Sequence, residues 1–413
     1  MGLYVSNNGS RQFEKLSLDD IPLAGKKIMV RVDFNVPIDE DGNVRDFTRI
    51  KAALPTIHNI LDYDSSAILL SHLGRPEGKR VEKYTLKPVA KELSKLLGLT
   101  VKFAPDCIGP EVAKMVDELG PGEVLLLENV RFHPGEATND PEFAEALAQS
   151  GDLFVNDAFG AAHRHEASIS GITKFFPNCA AAGRLMMREI RFLDRALSEP
   201  RRPFIGIVGG AKISSKLKTI HRLLPRVDKM LIGGGMAYTM IKAMGGKIGD
   251  SICEEEYLET AREIMMGPEA HKIVLPKDSI VATDLEYGTE RQTYPSDNIP
   301  DGWKGLDLGR EARAEFVNYI REAGTVFWNG PVGMFESEPF ATGTRAIARN
   351  LVNLTADGGI AVVGGGDSMA ALRRFNLHGP MTHVSTGGGS LLEYIESKPL
   401  PGIEALTDRS VKL

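Results

Sequence analysis

The chain has 413 residues, 42% hydrophobic and 25% charged, a balance that excludes wholesale disorder and a fold built on disulfides. Lys and Arg number 49 against 55 Asp and Glu, giving a net charge of −6, whereas a protein that covers nucleic acid with a broad face is basic. The length is more than one hydrophobic core serves, so two domains are expected. In chain order the first half predicts strands at 26–32, 66–71, 123–128 and 152–156, with helices at 49–61, 86–97 and 140–149. Residues 186–198 read as one charged amphipathic helix, stopped by the prolines of 199–203. The second half predicts strands at 204–208, 229–233, 272–275, 279–283, 325–328, 360–363 and 382–385, separated by helices at 212–224, 254–266, 309–322 and 340–354. Such alternation gives an α/β fold of two doubly wound parallel-sheet domains, with helices on both faces of each sheet.

Cys107, Cys179 and Cys253 are an odd set without metal-site spacing, and a reducing, cytoplasmic location is the simplest home for them. No apolar run reaches the length of about 18 residues that spans a bilayer, so no membrane partner is expected. The start lacks the basic and apolar regions of a secretion signal. Gly2 and Ser6 match the myristoylation pattern, which is short enough to arise by chance.

Ligands of open parallel sheets bind beyond the carboxyl ends of the strands, so the residues after each strand carry the information. In the first half these are Asp33 and Asn35, then His72 and Arg75, then Arg131 and His133, then Asp157, His163, Arg164 and His165, with Arg49 opening the first helix. Guanidinium groups grip phosphate and carboxylate in a fork, so this rim suits a small anion. In the second half the strand ends are glycine turns: Gly209-Gly210-Ala211-Lys212, Gly233-Gly234-Gly235, Asn329-Gly330-Pro331, Gly364-Gly365-Gly366-Asp367-Ser368 and Gly387-Gly388-Gly389-Ser390. Glycine lets backbone N–H groups approach phosphates, although any single turn also fits tight strand-to-helix packing. Lys212, at the start of a helix, and Lys216 one turn on could neutralise phosphate charge. Asp367 could hold Mg²⁺ or cap the helix that follows, and Glu336 could bond a ribose. GxxxxGK[ST], GxGxxG after a strand, HExxH and GxSxG are absent, which excludes a P-loop protein and leaves dehydrogenase, zinc-protease and serine-hydrolase readings without support. The two rims, facing each other across a cleft, would describe a phosphoryl transfer.

The segments RVDFNVP (31–37), SHLGRP (71–76), LENVRF (127–132), NDAFGAAHR (156–164), GGAKISSK (209–216), FWNGPVGMFE (327–336), GGGD (364–367) and STGGGS (385–390) resemble the phosphoglycerate kinases, in order along nearly the whole chain. The resemblance is closer to archaeal members. It implies a bilobal enzyme, with residues 1–185 binding the triose substrate, an interdomain helix and hinge at 186–203, a nucleotide domain at 204–396, and a tail, 397–413, packed back on the first domain. It implies reversible, Mg²⁺-dependent transfer between 1,3-bisphosphoglycerate and ADP, giving 3-phosphoglycerate and ATP in glycolysis and gluconeogenesis. By motif match Asp33, Asn35, Arg49, His72, Arg75, Arg131 and Arg164 are the triose positions. Gly210, Ala211, Lys212, Lys216, Gly234, Asn329, Pro331, Glu336, Gly365, Gly366, Asp367 and Ser368 are the nucleotide positions, with Asp367 the metal ligand. Arg49, Lys212, Gly387, Gly388 and Gly389 would stabilise the moving phosphoryl group. Ala161 and His165 depart from the family's usual NDAFGTAHRAHAS. Domain closure about 185–203 and 390–397 is expected, and a monomer rather than a dimer. The alternatives are a kinase for another carboxylate or acyl phosphate and a non-catalytic nucleotide sensor or binding protein, each on the same scaffold.

Overall fold

The computed structural model describes residues 3–5, 11–285, 290–377, 383–384, 389–395 and 399–410. The chain divides into two compact units, Met1–Phe192 with Ser397–Leu413, and Leu193–Glu396.

The first unit is built on a six-stranded parallel sheet. Its strands are β1 (Lys27–Arg31), β2 (Ser66–Leu70), β3 (Val101–Phe103), β4 (Val124–Leu126), β5 (Leu153–Asn156) and β6 (Ala180–Ala182), and the spatial order is β3-β4-β2-β1-β5-β6. β2, β4, β5 and β6 are buried along their whole length, as strands covered on both faces must be. Two of these strands escape the sequence pattern. Val101–Phe103 is only three residues long, and Ala180–Ala182 is three alanines, which carry no strand preference of their own. Helices fill the crossovers. Lys87–Leu97 shows how sequence sets their ends: Pro88 sits in its first turn, and Gly98 (φ 69°) closes it with a left-handed cap whose N–H donates to Ser94 O. The order of winding reverses between β1 and β5, and that reversal opens a crevice at the carboxyl ends of the sheet.

The returning tail belongs to this unit. Leu16 N–H donates to Thr407 O at 2.8 Å, Thr407 N–H to Ala180 O at 3.0 Å and Gly402 N–H to Ala162 O at 2.8 Å. Lys15 is buried, and its ammonium meets Glu404 O (2.8 Å), Leu406 O (2.9 Å) and Asp408 Oδ1 (2.7 Å). The boundary between the units on the other side falls inside one continuous helix, Arg184–Ser198.

The second unit repeats the design with β7 (Phe204–Val208), β8 (Lys229–Ile232), β9 (Ile273–Val274), β10 (Thr325–Asn329), β11 (Ile360–Gly364) and β12 (His383–Val384), in the order β9-β8-β7-β10-β11-β12, all parallel. Its winding reverses between β7 and β10. The strand expected at 279–283 exists as Asp278–Ala282 but is not part of this sheet. It is the centre of a separate antiparallel sheet, between Arg291–Pro295 and Lys304–Leu308. Local alternation predicts an extended segment but not its partner.

Candidate active site

Four strand ends of the first unit, those of β1, β2, β4 and β5, deliver polar side chains, and hydrogen bonds tie their loops into one rim. Arg49, the second residue of helix Thr48–Leu61, donates from Nη1 to Asp33 Oδ1 (3.1 Å) and Asn35 O (2.8 Å). Asn35 Oδ1 in turn accepts the N–H of Gly74 (3.0 Å), joining the loops after β1 and β2. Gly74 O accepts from Arg131 Nη1 (2.8 Å), which brings in the 3-10 turn after β4. Arg131 also donates from Nη2 to Glu166 Oε1 (2.5 Å), and Arg164 Nη1 reaches the same oxygen at 3.2 Å. Arg75 stands exposed at the edge of this set.

Two residues that order the rim escaped the sequence reading. Arg31, the last residue of β1, is fully buried. It donates from Nε to Ser168 Oγ (2.7 Å), from Nη1 to the carbonyl of Val32, and its Nη2 lies 3.1 Å from His72 Nδ1 and 4.0 Å from Glu166 Oε2. Glu166 is thus the common carboxylate of Arg31, Arg131 and Arg164. Burial opposes its charge, yet Arg131 and Arg31 together outweigh burial and hold it below the usual Glu range. Burial in turn disfavours the Arg31 charge, with Glu136 the largest opposing influence; burial also raises Glu136, against the pull of Arg31 and the Ser168 hydroxyl.

His72 joins the rim as a neutral group. It is buried, and burial first, then Arg31, Arg131, Arg164 and Arg49, push its pKa well below that of a free imidazole. Facing a guanidinium, Nδ1 accepts, so the neutral ring carries its proton on Nε2. His72 is a hydrogen-bonding member of the rim rather than one of its cations.

In the second unit the glycine turns pack against one another. Gly330 has φ 98°, and a Cβ there would lie 2.1 Å from Gly209 O; Gly234 has φ 70° and would meet Gly210 O at 2.7 Å. The turns thus pack against one another rather than against a helix, and the rim they form borders a cavity of about 470 Å³. Gly210, Ala211, Gly234, Pro331, Glu336 and Asp367 line it. Apolar side chains complete the lining, with Tyr238, Ile252, Leu285, Leu306, Val332 and Met334; of these only Val332 and Met334 fall in a segment the sequence singled out. Ile252 and Leu285 are 56% and 44% exposed and rank among the few large apolar side chains so exposed in the described residues. An apolar wall facing a few polar groups is the make-up of a small-molecule site.

The polar groups differ in detail from expectation. The helix after β7 opens at Leu217, not at 212. Ser214 is the reason, since its N–H and Oγ donate to Glu254 at 2.9 and 2.7 Å and hold the chain in a turn. Lys212 is exposed in that turn, with no helix dipole beneath it. Lys216 is half-buried and donates to Asn329 Oδ1; burial lowers its pKa, with Asp367 pulling the other way. Asn329 is buried with its Nδ2 unpartnered among the described residues. Gly365 (φ 91°), not Asp367, caps helix Gly366–Arg374, which leaves the Asp367 carboxylate exposed in the first turn. The Cβ position of Gly366 is open. Ser368 is fully buried, and its hydroxyl accepts the N–H of Gly330 at 2.7 Å, a role inside the rim rather than on its surface. Gly387 and Gly388, and part of the hinge expected at 390–397, lie outside the described residues, and Gly389 opens helix Gly389–Ile395.

A doubly wound unit with an arginine-rich rim, joined to a second with a glycine-turned cavity of nucleotide size, defines a phosphotransferase of the α/β class. The family model for phosphoglycerate kinase matches residues 18–398. A phosphoglycerate kinase of Moorella thermoacetica is 49% identical over 96% of this chain and 100% of its own, and the cytosolic enzyme of Nicotiana tabacum is 48% identical over 95% and 98%. The solved phosphoglycerate kinase of Coxiella burnetii superposes with a TM-score of 0.84 at 39% identity, over 95% of this chain and 98% of its own. That of Pyrococcus horikoshii OT3 gives 0.82 at 31%, with the same coverage. The chain belongs to the phosphoglycerate kinase family and is a kinase. The expected closeness to archaeal members does not hold, since the bacterial structure is the more similar of these two. No helix among the described residues is long and apolar enough to cross a membrane.

Proposed function

We propose that the two rims divide the family's reaction, the reversible transfer of a phosphoryl group between 1,3-bisphosphoglycerate and ADP, with the triose on the first unit and the nucleotide on the second. The observation that carries this reading is the arginine cluster. Arg31, Arg131 and Arg164 share Glu166, and Arg49 is set by Asp33, so the guanidiniums outnumber the carboxylates that orient them. A small ligand with a phosphate and a carboxylate matches that excess, and the bidentate geometry of Arg suits both groups. His72 would add a neutral N–H donor, and Asn35 and Asp33 would set the hydroxyl end.

On the second unit the adenine would lie against Tyr238, Ile252, Leu285 and Val332, with Glu336 bonding the ribose. The phosphates would follow the glycine turns at Gly210, Gly234, Gly365 and Gly366 towards Lys216 and Lys212. Asp367 fits the metal that the family uses. It is a single exposed carboxylate at the phosphate end of the cavity, without a hydrogen bond to another described residue, and Mg²⁺ takes one or two carboxylates with phosphate oxygens for the rest. When bound there, Mg²⁺ would supply positive charge to the phosphate oxygens.

The chemistry asks for no covalent nucleophile, because a substrate carboxylate and an ADP oxygen are the reacting groups. The protein contributes alignment and charge: Arg49 from one side and Lys212 from the other would stabilise the phosphoryl group in flight, with the 387–389 glycines beside them. In-line transfer needs both ligands in contact, so a closed state with bending near 185–203 is part of the proposal. Unpaired cysteines agree with a reducing cytoplasm, and each ligand has a site on one chain, so a monomer suffices. The test is ADP formation from 3-phosphoglycerate and Mg-ATP for wild type, Arg49→Ala and Lys212→Ala. Both variants should lose about two to three decades of kcat, or about 2.7–4 kcal/mol, while calorimetry still shows both ligands binding. A wild type that binds both ligands without turnover would instead make this a sensor.

A further inference from the structure

Next to the turn that carries Arg131, at a point the proposed reaction does not use, the first unit gathers three different metal-ligand types. The ligand atoms of Asp106, Cys107 and His133 lie within 4.8 Å of one another. Asp106 and Cys107 follow β3, and His133 closes the 3-10 turn Val130–Phe132 that carries Arg131. His133 Nε2 lies 2.6 Å from Asp106 Oδ1, the same oxygen accepts the N–H of Cys107 at 2.7 Å, and the Cys107 thiol is hydrogen-bonded to this carboxylate. The imidazole is stacked on Phe143, centroids 5.1 Å apart, which fixes its plane. The backbone ties the same two segments together, as Glu128 N–H donates to Asp106 O at 3.3 Å.

The arrangement resembles a nucleophilic triad in composition but not in access. Cys107 is fully buried, so no substrate reaches its sulfur, whereas Asp106 and His133 are half-buried and open the cluster to a small ion. Sulfur and nitrogen donors select against Mg²⁺ and Ca²⁺ and in favour of zinc-like cations. In a tetrahedral zinc site the metal lies about 2.0–2.3 Å from S, N and O, which sets the ligand atoms roughly 3.3–3.6 Å apart. The wider pairs need to close by at most about 1 Å and the His133–Asp106 pair, 2.6 Å apart, to open by about the same, both within reach of the half-buried Asp and His side chains.

We propose that Asp106, Cys107 and His133 form a binding site for a zinc-class divalent cation, with water as fourth ligand, that clamps the loop after β3 to the turn bearing Arg131. On binding, the Cys107 thiol proton leaves to solvent, the Nε2 proton that His133 gives to Asp106 moves to Nδ1 through solvent, and the sulfur, the Asp106 carboxylate and the freed Nε2 each donate a lone pair to the metal, with no change of oxidation state.

The test uses the full chain, stripped with chelator and titrated with Zn²⁺ or Co²⁺ without nucleotide. The expected result is one ion per chain, a rise in melting temperature, and for Co²⁺ the intense visible bands of a tetrahedral site with a thiolate charge-transfer band. Cys107→Ser should abolish the charge-transfer band, and Asp106→Asn and His133→Gln should each weaken binding at least about tenfold, the lower end for loss of a ligand's support. The Cys179→Ser, Cys253→Ser double variant should keep the band. Circular dichroism of the metal-free variants shows whether they fold. If Cys107→Ser fails to fold, Asp106→Asn and His133→Gln decide. Absence of a thiolate band in wild type, or folded variants that bind as tightly as wild type, overturns the proposal.

Discussion

Replacing Glu166 by Gln keeps the shape of the side chain and removes the charge that three arginines share. The side chain is 10% exposed, against 0% for Arg31 and 10% for Arg131, so solvent can do little to compensate. Breaking a buried ion pair by removing one partner costs about 3–5 kcal/mol. Gln still accepts one hydrogen bond through Oε1, and Glu136 remains near Arg31, which places the expected loss at the lower end, about 3 kcal/mol. For a unit of this size about 1 kcal/mol moves a melting temperature by roughly 2–4 °C, so Glu166→Gln should melt about 6–12 °C below wild type. Scanning calorimetry reads this directly. The exposed pair of Lys114 and Glu118, 3.9 Å apart with side chains 75% and 63% exposed, supplies the control. Glu118→Gln should change stability by less than about 1 kcal/mol. Millimolar 3-phosphoglycerate or sulfate should recover part of the Glu166→Gln loss, because an anion can take the place of the missing carboxylate. A Glu166→Gln protein that melts with wild type would refute the view that this carboxylate organises the rim.

Two buried carboxylates should make stability depend on pH. Burial raises both Asp157 and Asp307 to about 7, and each has one buried oxygen without a hydrogen-bond partner among the described residues, where the proton can sit. From about pH 4 to about pH 7 the folded chain holds protons that the unfolded chain has released, so their contribution is complete below about 4 and is lost as pH rises through about 7. Asp157→Asn should flatten urea midpoints measured between pH 5 and 8 relative to wild type; an unchanged difference between pH 5 and 8 would contradict the assignment. Lys216→Met removes the ammonium beside Asn329 and near Asp367, and should raise KM for ATP about tenfold or more while leaving KM for 3-phosphoglycerate within about twofold, read by initial rates. Lys15→Met strands two carbonyls and Asp408, and should cost about 2–3 kcal/mol in denaturant unfolding, with proteolysis at the tail as a second readout.

Much of the site was legible because its residues follow strands at fixed, short spacings. Asp33, Asn35, His72, Arg131 and Arg164 could be read this way, and so could the glycine turns of the second unit. What was not legible depends on contacts across the sequence. Arg31 reads as an ordinary strand residue until its guanidinium is seen against His72, Ser168 and Glu166, 41 to 137 positions away. The apolar wall draws Tyr238, Ile252 and Leu306 from separate elements, and none of these three belongs to a motif. The late start of the helix at Leu217 is set by the bonds of Ser214 to Glu254, forty residues on, which local pattern cannot contain. The neutrality of His72 likewise comes from burial beside arginines, not from its own sequence neighbours.

The central claim is that each unit owns one substrate, and a paired kinetic measurement tests it most directly. Arg164→Ala removes a half-buried guanidinium of the first unit, and Glu336→Ala an exposed carboxylate of the second unit's cavity. Loss of a charged hydrogen bond is worth about 1.5–3 kcal/mol, or roughly 10- to 150-fold. Initial rates against both substrates should show Arg164→Ala raising KM for 3-phosphoglycerate alone by about that factor and Glu336→Ala raising KM for ATP alone. If either variant raised both constants together, or each raised the constant of the opposite ligand, the division of substrates between the two units would be wrong.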